Sequence, residues 1–126
     1  MADHLIPEEV REFIDKYIDS IAQLEALILL RQNRERSWDT ASTAHRLYVQ
    51  PEEATELLAK LSTNGFVTST TGGGYRFECA DPSVELLIDK LIELYSHHLI
   101  PVTKLVHSKP DRINQFADAF KLKRGS

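Results

Sequence analysis

Apolar residues recur at helical spacing along most of the chain and alternate strictly only once, near residues 66–79. Val10, Phe13, Ile14, Tyr17 and Ile18 fall on one helical face, behind Pro7 at a first-turn position and Glu8 and Glu9 at the positive end of the helix dipole. Ser20 and Gln23 have the spacing of a capping box. They open a second helix, or a continuation of the first, through Ile21, Leu24, Leu27, Ile28 and Leu29. That pattern runs out in the arginine-rich stretch Arg31 to Arg36. Asp39 or Thr40 can cap a short helix with Ala41, Ala44 and Leu47. Pro51 then opens a helix with Ala54, Leu57, Leu58 and Leu61 on one face, and Asn64-Gly65 supplies a left-handed stop.

The alternating stretch reads FVTSTTGGGYRFEC. Strand-favouring residues flank three glycines, which predicts a hairpin with a flexible tip. Tyr75, Phe77 and Cys79 share one face, and Arg76 and Glu78 the other. Asp81-Pro82 starts the longest helical pattern, Ser83 to His107. Ile88, Ile92, Tyr95, Leu99, Val102 and Val106 form a heptad seam there, widened by Leu87, Leu91, Leu94 and Leu105. This is more apolar surface than one contact face needs, so the stripe Leu87 to Val106 is expected to join two copies. Packing wholly within the chain is the alternative. Pro101 should kink or break the helix. A last short helix can carry Ile113, Phe116, Ala117 and Phe120.

At 126 residues the chain has the length of one domain, 1–126, with a core at 20–80 and a helical extension at 81–126. The lone Cys79 allows no internal disulfide, and the N-terminal residues lack the pattern of a signal peptide. Both point to the cytoplasm. Net charge is −4, which argues against a general nucleic-acid binder. Its distribution changes that picture: residues 31–50 hold four bases and two acids, and Lys104 to Arg124 hold six bases and two acids.

Little here suggests catalysis. His97, His98 and His107 lack the spacing of a helical metal site, so no metal or other cofactor is expected. The glycine run lacks the lysine and following helix of a phosphate loop. Cys79 has no activating neighbour in sequence and reads as a small hydrophobe. Trp38 reads as a core plug between the second and third helices. No nucleophile stands with a base at a meaningful spacing, so the protein is not expected to be an enzyme.

The stretch TASTAHRLYVQPEEATELLAKLSTNGFV, followed by the glycine hairpin and a long helix, resembles the winged helix-turn-helix family, MarR-type and PadR-type regulators included. The resemblance covers Ile21 to Cys79, and INQFADAFKLKR looks like the close of small bacterial proteins of the same layout. It implies a mainly α fold with a small β-hairpin wing, an extra N-terminal helix and a long C-terminal helix. It also implies that Pro51 to Thr63 enters a DNA major groove while the wing, Ser69 to Tyr75, touches backbone or minor groove. The chemistry departs from that pattern. Glu52, Glu53, Glu56 and Lys60 form the outward surface of this recognition-like helix, and three carboxylates repel a polyanion. Phosphate contacts would have to come from Arg31, Arg34, Arg36, Arg46, Arg76 or the C-terminal lysines. Two readings follow: a transcription regulator that binds duplex DNA as a homodimer, or an interaction module whose acidic helix docks on a basic protein.

Overall fold

The computed structural model describes residues 5–109. It is mainly helical with one small antiparallel sheet: α1 (Glu8–Tyr17), α2 (Ile21–Gln32), α3 (Thr40–Leu47), α4 (Pro51–Thr63), β1 (Val67–Ser69), β2 (Tyr75–Phe77), α5 (Pro82–His97) and α6 (Leu99–His107). The helix expected around Ile113 to Phe120 lies outside the described residues.

Local chemistry fixes most element ends. The Ser20 hydroxyl accepts from Gln23 N at 3.1 Å, which caps α2. Gln23 does not reciprocate to Ser20; its Oε1 accepts from Asp19 N at 2.8 Å and its Nε2 donates to Tyr17 O at 2.7 Å. The buried glutamine therefore stitches the end of α1 to the start of α2. Asp39 caps α3 in a full capping box with Ser42. At the end of α4, Phe66 N donates to Leu61 O and Gly65 N to Ser62 O, both at 3.0 Å. With Gly65 at φ +84°, this is a Schellman stop, and it delivers Phe66 into the core.

The two strands pair Val67 with Phe77 and Ser69 with Tyr75. A third backbone segment joins them. Trp38 N donates to Tyr75 O at 2.7 Å and Tyr75 N to Trp38 O at 2.8 Å, an antiparallel bridge on the free edge of β2. Trp38 is fully buried, as a core plug should be, and it also fastens the segment before α3 to the hairpin.

Two helical groups share one core. α3 and α4 pack on each other and on α2, while α1 packs on α5 and α6. Aromatic rings join the groups: Phe66 stacks on Phe13 at 5.6 Å between centroids and meets the edge of Tyr17 at 5.1 Å. The N-terminal helix is thus a wedge that attaches the last two helices to the rest.

The long C-terminal helix is interrupted. α5 ends at His97, His98 leaves helical geometry at φ −133° and ψ 59°, and α6 begins at Leu99. Pro101 explains the position, because it can give no N–H to the carbonyl of His97 and its ring crowds that carbonyl. The chain restarts with proline in the first turn of α6, where a missing donor is tolerated. The heptad seam is also redirected. Ile88, Leu91, Val102 and Val106 are buried inside the chain, facing α1 and the core. Leu87, Ile92 and Tyr95 are half-buried, and Tyr95 Oη donates to Glu25 on α2 at 3.0 Å. Of the eight stripe residues expected at an interface between copies, Leu99 alone is exposed.

Candidate functional site

The root of the hairpin gathers the residues with most chemical potential. Gly74 is buried there, and a Cβ on it would lie 2.6 Å from Ser37 Oγ and 2.9 Å from Trp38 O. Only a glycine lets the hairpin close this tightly on the segment before α3. Ser37 and Thr70 share a hydroxyl hydrogen bond at 2.7 Å across the same junction. Over the buried indole lie two guanidinium groups, Arg36 at 4.0 Å and Arg46 at 5.7 Å from the ring. Stacking on an aromatic face orients a guanidinium without consuming its N–H donors.

The five arginines singled out in the sequence divide into two sets. Arg31 grips Asp89 of α5, with Nε 2.9 Å and Nη2 3.1 Å from the two carboxylate oxygens, and also lies near Glu85. Arg34 donates to Glu85 at 3.2 Å. Both cover the ring of Phe77, at 5.3 and 5.5 Å. Arg76 pairs with Glu78 at 3.7 Å. These three are committed to holding α2, β2 and α5 together or to a neighbour on the strand. Arg36 and Arg46 are exposed and have no ion pair among the described residues. The nearby Asp39 has its pKa lowered chiefly by the Ser42 amide and hydroxyl, and the positive charge of Arg36 adds to that effect.

The outward face of α4 has the composition expected of it. Glu52, Glu53 and Glu56 are exposed and have no ion pair among the described residues. Lys60 is exposed too but turns to Asp19, which also receives the ammonium of the buried Lys109 at 2.7 Å. Lys109 Nζ donates further to Ile14 O and Ile18 O, at 3.2 and 3.0 Å, where the negative end of α1 favours a cation. At the C-cap of α3, three residues before α4, stands Tyr48, 94% exposed and left-handed at φ +58°.

A second surface runs along α5 beside the start of α1. Two adjoining hollows of about 310 and 410 Å³ share Lys90 and Glu93 as a ridge. Leu86 stands out beside one hollow, 65% exposed, and Pro7, Leu94 and His97 line the other. Among the described residues, no group of three histidine, cysteine or acidic side chains could hold a metal. No helix there is long and apolar enough to cross a membrane.

No family model matches this chain, and no curated protein and no solved structure is significantly similar to it.

Two features of the site left little mark in the sequence. The Trp38 bridge is a single backbone pairing, with no alternating run to announce it. The commitment of Arg31 and Arg34 depends on carboxylates more than fifty residues away, and a matching periodicity of acids on α5 (Glu85, Asp89) was its only trace.

Proposed function

We propose that this protein is a non-enzymatic, cytoplasmic winged-helix regulator that acts as a homodimer on duplex DNA. Its phosphate contacts come from Arg36 and Arg46 at the root of the wing. The order of elements supports the scaffold: helix α2, a bridging strand residue at Trp38, helices α3 and α4, then the two hairpin strands. The observation that carries the functional reading is the pair of uncommitted guanidiniums over Trp38, at the root of the hairpin where Gly74 closes on the same residue. Phosphate contacts dominate DNA affinity and make it salt-dependent. The glutamates of α4 weaken the groove approach and select against a close phosphate. A carboxylate there can still accept from cytosine N4.

Binding of random duplex DNA, titrated against salt, tests this. Wild type should bind at low salt, with affinity falling steeply as salt rises. Replacing both Arg36 and Arg46 with alanine should flatten the log–log slope by about 2, roughly one unit for each phosphate left without its guanidinium. Arg34→Ala should leave the slope unchanged, because that guanidinium already serves Glu85. Absence of low-salt binding by the wild type overturns the reading.

A second reading rests on Tyr48 and the unpaired acids beside it. An exposed aromatic in a conformation that costs roughly 1 kcal/mol, shortly before a helix that carries three free carboxylates, fits a docking face for a basic protein. The glutamates distinguish the two. Changing Glu52, Glu53 and Glu56 to glutamine should strengthen DNA binding under the first reading and abolish partner binding under the second.

A further inference from the structure

We infer that two copies of this chain pair antiparallel through the exposed face of α5, with Lys90 of each copy set against Glu93 of the other and Leu86 of each seated in the hollow beside Leu94 and His97. The inference rests on the dimeric reading above and names its surface, which differs from the inward-facing seam that the heptad spacing suggests.

The charges carry the argument. α5 has three carboxylates, and two are occupied: Glu85 by Arg31 and Arg34, and Asp89 by Arg31. Glu93 has no ion pair among the described residues. Three residues earlier, Lys90 reaches Glu9 of α1 at 2.6 Å and remains half exposed. A two-fold axis crossing the helix between Leu91 and Ile92 brings Lys90 opposite the partner's Glu93, and Glu93 opposite the partner's Lys90. Each ammonium then sits between two carboxylates, and the single unanswered acid of the helix is answered. An axis through Lys90 itself would oppose like charges, so the charge pattern selects one register.

The same register fits the apolar relief. Leu86 falls opposite the partner's His97. The cavity there measures about 310 Å³, and Pro7, Leu94, His97 and His98 form its walls together with Lys90 and Glu93. Leu86 is 65% exposed, so most of its side chain is left uncovered by its own chain. Because a two-fold contact is self-complementary, one protrusion and one hollow per copy yield two filled hollows. The span from Leu86 to His97 is about 16 Å of the roughly 24 Å length of α5.

Sedimentation equilibrium of the full chain, without nucleic acid, tests the proposal. Wild type should dimerise reversibly. Lys90→Glu and Glu93→Lys should each weaken the dimer at least ~10-fold, since each places like charges in opposition twice. The double variant Lys90→Glu/Glu93→Lys should return to within about 3-fold of wild type. Leu86→Asp, at an exposed position that leaves folding intact by circular dichroism, should yield monomer. A wild type that stays monomeric refutes the dimeric reading itself. A wild-type dimer indifferent to Lys90, Glu93 and Leu86 leaves that reading standing and overturns this surface.

Discussion

One added methyl group separates two of the hairpin glycines. At Gly74 it would strike Ser37 Oγ and the Trp38 carbonyl, whereas at Gly72 it meets nothing within 4 Å. Gly74→Ala should therefore lower stability by about 1–3 kcal/mol, the usual toll of overpacking, while Gly72→Ala changes it by less than about 0.5 kcal/mol. Chemical denaturation of both variants checks the contrast. The helix caps give a second expectation. Asp81 is held below its usual pKa by the Ser83 hydroxyl and amide, and Asp39 by the Ser42 amide and hydroxyl. The folded chain resists protonation more than the unfolded chain does. The stabilisation is thus complete above the unfolded value near 3.8 and disappears as pH falls through the lowered folded values. Replacing both with asparagine, which caps almost as well, should leave neutral stability nearly unchanged and flatten its decline on acidification. These residue roles were partly legible beforehand. The cap at Asp39, the stop at Gly65 and the hairpin glycines each use a local rule that operates within four residues. Nothing local marks Gly74 as the glycine that matters, because the atoms it would strike belong to the segment before α3.

Among the elements, α4 is where sequence and structure agree best. A proline at its first position and a glycine just past its end bracket thirteen residues, and the observed bounds are Pro51 and Thr63. α5 is the counterexample. Its wide apolar stripe announces burial but not against what, since a helix covered by α1 and α6 of its own chain has the same composition as one covered by a second chain. What the periodicity could not supply was the wedge of α1, inserted through Phe13 and Tyr17. The arginines show the same limit. RQNRER suggests a basic patch, yet Arg31 works as a clasp from α2 to α5. Arg31→Ala should cost about 1–2 kcal/mol, combining the loss of a half-buried ion pair with Asp89 and the removal of cover over Phe77. Arg36→Ala, with no ion pair to break, should cost less than about 1 kcal/mol, most of it from stacking on Trp38. Thermal melts of the two variants separate clasp from surface group.

At the scale of the whole molecule, charge is partitioned by use. Acids on α5 meet arginines from α2, and Asp19 gathers Lys60 and Lys109 from two other parts of the chain. Much of the sequence's apparent basicity is thereby internal. Prominent on the outside are the acidic flank of α4, the Arg36 and Arg46 guanidiniums at the root of the hairpin and the Lys90–Glu93 ridge. These are three separate surfaces on different elements, so under the proposed reading a second copy and a polyanion would occupy different faces and neither would obstruct the other.

The chain contains one tryptophan, and it lies beneath the guanidiniums of Arg36 and Arg46. The molecule consequently has a built-in optical probe at the root of the hairpin. Anything that draws Arg36 or Arg46 away from the indole should alter its ultraviolet emission, whereas events confined to α5 should leave that light undisturbed.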